Sequence, residues 1–325
     1  MVGASGFVGS AVVSALDAAG IGVVRIAAPR LATDLADPAR LTEEAQTHPC
    51  IPDLAEALSG CSVVVNAAGL AAPGASDTPE LRGANALLPA VLAEAAARAG
   101  AHRFIHLSSA AVQGRSPVLD DTEATTPFSA YSRSKALGEQ TLRAWRRSGA
   151  GTAAGTGLLP ITVLPITVVR ATSVQGPTRP TTLALARLAR SPLASVASPG
   201  NAPTPVVSVD ALAGLVLAVG RSVPDPPFIV LQPWGGLTVT TVLEAAGGRP
   251  LQLPRWVCRA IVRCGYAASS LAGGRLSGAV RRVELMWFGQ AQRPGWAEEQ
   301  FVAPQRRVRA VLEAAAGQAA RGRKP

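Results

Sequence analysis

The chain is poor in the side chains that build metal centres, disulfide frameworks and membrane spans. Its 325 residues include four cysteines, Cys50, Cys61, Cys258 and Cys264, and no two of them stand in a CxxC pair. With only three histidines besides, no zinc-ligand spacing can be composed, and the thiols read as reduced residues of a cytoplasmic protein. The longest apolar stretch, Val206 to Val219, is broken by Ser208 and Asp210 and falls short of the roughly 20 residues that span a bilayer. The opening residues carry no secretory pattern. Charged residues are few, at 16%, but 48% of the chain is hydrophobic, which excludes general disorder. The length predicts a large core divided between about two domains. Tyrosine and lysine are scarcer still, at two residues each.

The net charge of +10 is unevenly spread. Residues 1–248 hold 17 basic and 17 acidic side chains, whereas residues 249–325 hold 14 basic against four acidic. That C-terminal excess reads as a solvated arginine-rich surface able to attract anions in general. Beyond Trp287 and Trp296 no aromatic residues interleave with its arginines, so no specific nucleic-acid partner is expected. Leu253 to Leu271 has the spacing of an amphipathic helix with Arg255, Arg259 and Arg263 on one face.

Along the first 135 residues, short Val/Ile runs alternate with Ala-rich helical stretches. The patterning predicts helices over Val8 to Ala19, Asp53 to Leu58, Leu87 to Ala99 and Tyr131 to Arg147. Strands are expected at Val23 to Ala27, Ser62 to Ala67 and Arg103 to Leu107. This is the βαβ signature of a parallel sheet with helices on its faces. After the loop Gly149 to Gly157 comes a tandem repeat, LPITV at 159–163 and again at 164–168. The second copy is expected to be the strand, because it runs on into Val169 and Arg170. Beyond Pro177 the pattern turns irregular and proline-rich, with a further strand at Val206 to Val209 and a helix at Ala211 to Val219. The expected division is a nucleotide-binding domain over 1–177, to which 205–230 return, and a smaller substrate domain over the rest of 178–325.

Two motifs carry chemistry. Gly3-Ala4-Ser5-Gly6-Phe7-Val8-Gly9 opens a helix with glycines that permit a tight turn and close approach of a pyrophosphate to free N–H groups. Only Met1 and Val2 precede it, so the supporting first strand is expected to be largely missing and the natural start to lie upstream. The second motif is Tyr131-Ser132-Arg133-Ser134-Lys135. Tyr131 and Lys135, at i and i+4, share a helix face, where an ammonium lowers the pKa of a phenol from about 10. In so arginine-rich a chain, lysine here indicates that the compact ammonium is wanted. Between the two lie Asn66-Ala67-Ala68-Gly69 and Ser108-Ser109-Ala110-Ala111-Val112-Gln113-Gly114, each at the C-terminal end of an expected strand, where open α/β sheets bind ligands.

In this order GASGFVG, NAAG, Asn85 ahead of a helix, FIHLSSAAVQG, YSRSK, VVRATSVQGP and VVSVDALA are recognisable. The chain resembles the extended short-chain dehydrogenase/reductases, specifically the NAD-dependent epimerase/dehydratase family, over roughly residues 1–220. The resemblance implies a Rossmann-type doubly wound sheet and a nicotinamide cofactor. It implies that Tyr131 is the general acid/base, that Lys135 activates it and holds the nicotinamide ribose, and that Ser109 hydrogen-bonds the reacting oxygen. Gly3, Gly6 and Gly9 would carry the pyrophosphate, Ser5, Phe7 and Val8 of the same loop would also contact the cofactor, and Asn66, Ala67 and Ala68 would border it. Alignment on the glycines puts Ala28, Pro29 and Arg30 at the tip of the second strand. With no acid there and Arg30 at hand, NADP(H) is favoured over NAD(H).

Departures from the family pattern narrow the reaction. Ala110 and Ala111 follow Ser109 where sugar dehydratases carry an acidic pair, which argues against dehydration. Thr204 replaces the arginine expected to grip a nucleotide diphosphate, and Gln113 replaces a tyrosine, leaving Arg179, Arg187, Arg190 or the C-terminal arginines for phosphate. The resulting expectation is an oxidoreductase or epimerase acting on a keto or hydroxyl group of a nucleotide-linked sugar, a small-molecule enzyme with room for a homodimer. Leu253-Pro254-Arg255-Trp256 and the basic helix after it are similar to sterol or flavonoid reductases of the wider superfamily. That similarity implies, as one alternative, a reductase or dehydrogenase of a hydrophobic ketone or alcohol with a weak membrane-surface contact. A second alternative is a non-catalytic dinucleotide sensor. Intact Tyr131 and Lys135 argue against the sensor.

Overall fold

The computed structural model of the chain describes residues 1–71, 76–149, 164–273, 276–300 and 306–321. The first copy of the tandem repeat, and the Gly/Ala/Thr stretch from 150 onward, lie outside the described residues. The chain forms two compact units. One comprises Met1–Gly114, Thr122–Ala171 and Ala213–Val230, the other Arg115–Asp121, Thr172–Leu212 and Leu231–Pro325.

In chain order the elements that build the first unit are α1 (Phe7–Ala18), α2 (Pro38–Thr47), α3 (Ile51–Ala57), β1 (Val63–Asn66) and α4 (Pro79–Arg82). A π-helical turn, Gly83–Leu87, leads directly into α5 (Leu88–Arg98). There follow β2 (Arg103–Ser109), α6 (Ala130–Arg147), β3 (Ile166–Ala171), α7 (Val209–Arg221), which belongs to this unit from Ala213 on, and β4 (Ile229–Leu231), which belongs to it as far as Val230. Local chemistry explains several boundaries. Asp37 accepts the Arg40 N–H at 2.9 Å and Pro38 fills the first helical position of α2. Ser129 and Ser132 close a reciprocal capping box on α6.

The strands lie in the order β1-β2-β3-β4, and β1, β2 and β3 run parallel. Val64, Phe104 and Ile166 stand side by side in register, as do Val65, Ile105 and Thr167. Side chains alternate between the two faces. Val64, Phe104, Ile166 and Val168 enter a core with Leu41 of α2, Leu54 of α3, Leu92 of α5 and Leu142 of α6. Ile105 faces the other way, toward α7 at Gly220. The sheet is therefore clothed by helices on both faces, a Rossmann-type doubly wound arrangement.

Beyond β1 the sheet continues through Val2. The Val2 N–H donates to Val65 O and the Ala67 N–H to Val2 O, each at 2.9 Å, while on the opposite side the Ile26 N–H donates to Met1 O at 3.0 Å. The spatial order is thus Ile26, Val2, β1, β2, β3, β4. The chain leaves the first strand on one side and returns on the other, so the switch in winding direction falls beside Val2. The strand expected over Val23 to Ala27 is reduced to one bridge, Ile26 to Val2.

Among its described residues the second unit holds three short parallel pairs: Ser173–Gln175 with Val206–Ser208, Ser195–Ala197 with Leu251–Leu253, and Val118–Leu119 with Ala291–Gln292. Helices pack on them through small separate cores, such as Ala186, Val196, Val239 and Leu243. The helix expected from Leu253 forms over Arg255–Leu271. No helix among the described residues is long and apolar enough to cross a membrane.

Trp145 anchors α6 to the core. It is fully buried, and its Nε1–H donates to Glu94 Oε2 at 2.9 Å on α5, where Glu94 also pairs with Arg98 at 2.8 Å. Trp145→Phe keeps the apolar body but deprives a nearly buried carboxylate of a donor. Loss of such a charge-assisted bond is expected to cost about 1–3 kcal/mol, read as a melting temperature lowered by several degrees. An unchanged melting curve would show that the Trp145–Glu94 bond contributes nothing.

Candidate active site

The glycine loop, the turn after β1 and α6 meet through a series of close contacts. Gly3 adopts φ +80°, and a Cβ there would lie 2.5 Å from the backbone nitrogen of Ala68. A Cβ on buried Gly9 would lie 1.9 Å from Gly3 O. Glycine at these two positions is therefore demanded by the chain itself. Gly6 differs. A Cβ there would meet only Gly3 O, at an ordinary 3.4 Å, so nothing among the described residues fills the space that its missing side chain leaves. Gly6 also begins α1 without a side-chain cap. Ser5, Gly6 and Phe7 are exposed and Val8 is half-buried, giving a backbone cradle at the sheet's switch point suited to a diphosphate.

Asn66 ends β1 and is wholly buried. Its Oδ1 accepts the Ala68 N–H at 2.9 Å, and its Nδ2 donates to His106 Nδ1 at 3.2 Å. Its amide is spent on shaping the turn, which leaves the half-buried backbone of Ala67 and Ala68 to border whatever occupies the cradle. Burial, followed by the nearby Lys135 charge, holds the His106 imidazole well below its ordinary 6.5.

α6 brings Tyr131, Lys135 and Glu139 onto one face at four-residue spacing, increasingly buried along the helix. Lys135 Nζ donates to Leu107 O at 3.1 Å, tying α6 to the C-terminal end of β2. Burial lowers the Lys135 pKa from 10.5 to about 8, partly offset by Glu139. Tyr131, one turn earlier, is half-buried. Ser109 ends β2, and its Oγ accepts the Ala111 N–H at 3.2 Å, leaving the hydroxyl proton available to donate. The chain's other tyrosine, Tyr266, donates to Glu284 at 2.7 Å, and its pKa is pushed up to about 12 by burial and then by that carboxylate. It is unsuited to proton transfer near neutrality.

Asn85, expected ahead of a helix, lies inside the π-helical turn and is buried. Its Oδ1 accepts the Leu70 N–H, while its Nδ2 donates to Leu70 O and to Ser134 Oγ, all at 3.0 Å. A Cβ on Gly69 would lie 2.7 Å from Asn85 Oδ1 and 3.0 Å from Lys135 Nζ. The turn after β1, the π turn and α6 therefore converge on one point. Arg30 stands outside this group, exposed and without a hydrogen bond or ion pair among the described residues.

Sequence reasoning assigned no role to Glu139 and Arg170, which underlie the site. Both are fully buried, and Arg170 Nη2 lies 2.7 Å from Glu139 Oε2. Ser108 donates to Glu139 Oε1 at 2.6 Å, and Arg170 Nη1 donates to Thr122 O at 2.7 Å. The pair pins α6 to the ends of β2 and β3. The only local signal was Glu139 standing four residues after Lys135.

A doubly wound sheet with a glycine cradle at its switch point defines a dinucleotide-binding protein of the Rossmann type. The profile of the NAD dependent epimerase/dehydratase family matches residues 1–216, and the chain belongs to that family. It is thereby an enzyme of the NAD-dependent epimerase/oxidoreductase class. A search of curated proteins found no match. Among solved structures, the chain is similar to MoeE5 in complex with UDP-glucuronic acid and NAD, at 22% identity over 98% of each chain with a TM-score of 0.57. It is also similar to the UDP-glucose 4-epimerase of Thermus thermophilus in complex with NAD, at 22% identity over 78% of this chain and 86% of that one, with a TM-score of 0.52. The human epimerase family protein SDR39U1 with NADPH aligns at 20% identity over 98% of each chain, with a TM-score of 0.54.

The buried ammonium makes a stability prediction. With a pKa near 8 in the folded chain and 10.5 ordinarily, the unfolded state binds more protons between these values, so the cost of burying Lys135 declines as pH rises through that window. Denaturant unfolding of wild type and Lys135→Met at pH 7.5 and pH 10.5 is expected to show wild type gaining up to about 3 kcal/mol relative to the variant. Parallel pH profiles would mean that Lys135 is not held in a depressed state.

Proposed function

We propose that this enzyme reduces a keto group, or epimerises a hydroxyl, on a nucleotide-linked sugar, with Tyr131 as general acid/base. The observation that carries the reading is the buried ammonium of Lys135, one helical turn from half-buried Tyr131 and bonded to the end of β2. A bound nicotinamide supplies the hydride acceptor or donor. In the oxidative direction the Tyr131 phenolate takes the substrate hydroxyl proton. In the reductive direction its phenol returns a proton to the carbonyl oxygen. The Lys135 charge favours the phenolate, and Ser109 donates its hydroxyl proton to the reacting oxygen. Ala110 and Ala111 offer no acid or base for water loss, which favours reduction or epimerisation over dehydration.

The residues of the cradle fit a dinucleotide. Gly3, Ser5, Gly6, Phe7, Val8 and Gly9 would hold the pyrophosphate, and Asn66, Ala67 and Ala68 would flank it. Preference for NADP(H) over NAD(H) rests on Arg30. No carboxylate stands at residues 28–30 to bind a ribose 2′-hydroxyl, and a guanidinium without a partner among the described residues suits a 2′-phosphate.

Tyr131→Phe removes the proton carrier and little else. Turnover is expected to fall by roughly 10²–10⁴-fold, with dinucleotide affinity by fluorescence titration unchanged. Retention of turnover would remove Tyr131 from the mechanism. For the cofactor, Arg30→Ala is expected to weaken NADPH binding by about tenfold or more, the worth of a charge-assisted bond, while leaving NADH affinity as it was. Equal effects on both would sink the 2′-phosphate assignment.

A further inference from the structure

In the second unit, helix Arg255–Leu271 has an inner face fully used and an outer face with nothing on it among the described residues. Cys258 and Val262 pack with Ala197 and Trp287, and Gly265 lies against Val280. On the side away from these contacts, Trp256, Ala260, Ala267 and Leu271 recur at helical spacing and are all exposed. Trp256 is 73% and Leu271 93% exposed, and Ile261, at 49%, widens the stripe. Large side chains so accessible cost solvation free energy with no gain from folding.

The edge of this stripe is cationic. Arg255, Arg259 and Arg263 follow one another at four-residue intervals, and the helix contains no Asp or Glu. Arg255 lies over the Phe288 ring, 5.2 Å from its centroid. Arg259 and Arg263 are exposed and make no hydrogen bond or ion pair among the described residues. The surrounding sequence reinforces the sign, since residues 249–325 carry 14 basic and four acidic side chains.

We propose that this helix is a docking surface for an anionic lipid bilayer, lying in the plane of the interface with Trp256 and Leu271 inserted among the acyl chains and Arg259 and Arg263 on the headgroups. Three features select this occupant. A tryptophan at the boundary of apolar and charged faces suits the headgroup level of a membrane. An arginine row alongside the apolar stripe complements anionic lipid, whereas a neutral apolar partner would leave those charges unmatched. A polyanion such as DNA would use the arginines but gain nothing from the leucine and isoleucine beside them.

The test is sedimentation of the intact chain with phosphatidylcholine vesicles and with phosphatidylcholine–phosphatidylserine vesicles at low and physiological salt. Binding is expected with the phosphatidylserine mixture and to be lost with phosphatidylcholine alone. Trp256→Gln with Leu271→Gln is expected to abolish binding, and Arg259→Gln or Arg263→Gln to weaken it about fivefold each. All four positions are exposed, and an unchanged melting temperature verifies that the variants fold. Absence of binding to phosphatidylserine vesicles at low salt overturns the proposal. So does binding that survives the double apolar substitution, or a duplex DNA competitor that binds equally tightly and is equally sensitive to that substitution. Concentration-dependent dimerisation lost on Trp256→Gln, without vesicle binding, would assign the face to a second copy of the chain instead.

Discussion

Two opposite charges sealed from water, Arg170 on β3 and Glu139 on α6, set the geometry on which the face bearing Tyr131 and Lys135 depends. Each ion alone would be intolerable at such depth, and removing one partner from a buried pair typically costs about 3–5 kcal/mol. Their attraction repays the desolvation only if the guanidinium and carboxylate meet squarely and their remaining hydrogen-bonding capacity is used. Ser108 and the carbonyl of Thr122 meet that condition here. A helix bearing Glu139 can therefore neither rotate nor slide. One turn earlier on the same face, Lys135 is delivered to the end of β2, and one turn before that comes Tyr131. Glu139 itself, one turn on from Lys135, partly offsets the cost of burying that ammonium.

How far the sequence revealed this depends on whether the cause is local. The Tyr131–Lys135 spacing and the glycine loop are local devices, and both stand on the elements where patterning put them. The second LPITV copy could be chosen as the strand because it runs on into Val169 and Arg170. The strand at Val23 to Ala27 had the right composition but pairs only through Ile26, and a strand is defined by its pairing. α2 was overlooked although Asp37 and Pro38 carry a sound start signal, because its TEE centre conceals the apolar face of Leu41 and Ala45. The Arg170–Glu139 bond joins residues 31 positions apart, with no periodicity to betray it. Asn85 was noticed for its position before a helix, but the widened turn that holds it leaves no compositional mark.

Charge and apolar surface are partitioned between the two units. The first carries balanced charge, and those of its ionisable groups that are buried, such as Lys135, Glu139 and Arg170, sit in specific contacts. Most of the chain's cationic excess resides in the second, partly on a helix whose outward stripe is apolar. The buried groups of the first unit are thus governed by partners in direct contact. An exposed arginine row acts differently, through a field that fades within about 10 Å at ordinary ionic strength.

The π turn at Gly83–Leu87 makes the site sensitive to counting. It accommodates one residue more than the helical repeat would, and that extra residue turns Asn85 toward Leu70 and Ser134. Loss of a single residue here would restore regular winding and swing the preceding side chains by about 100° relative to α5. Insertions and deletions are usually absorbed by loops at little cost. In this segment, by contrast, chain length is itself a specification, as binding as the identity of any side chain.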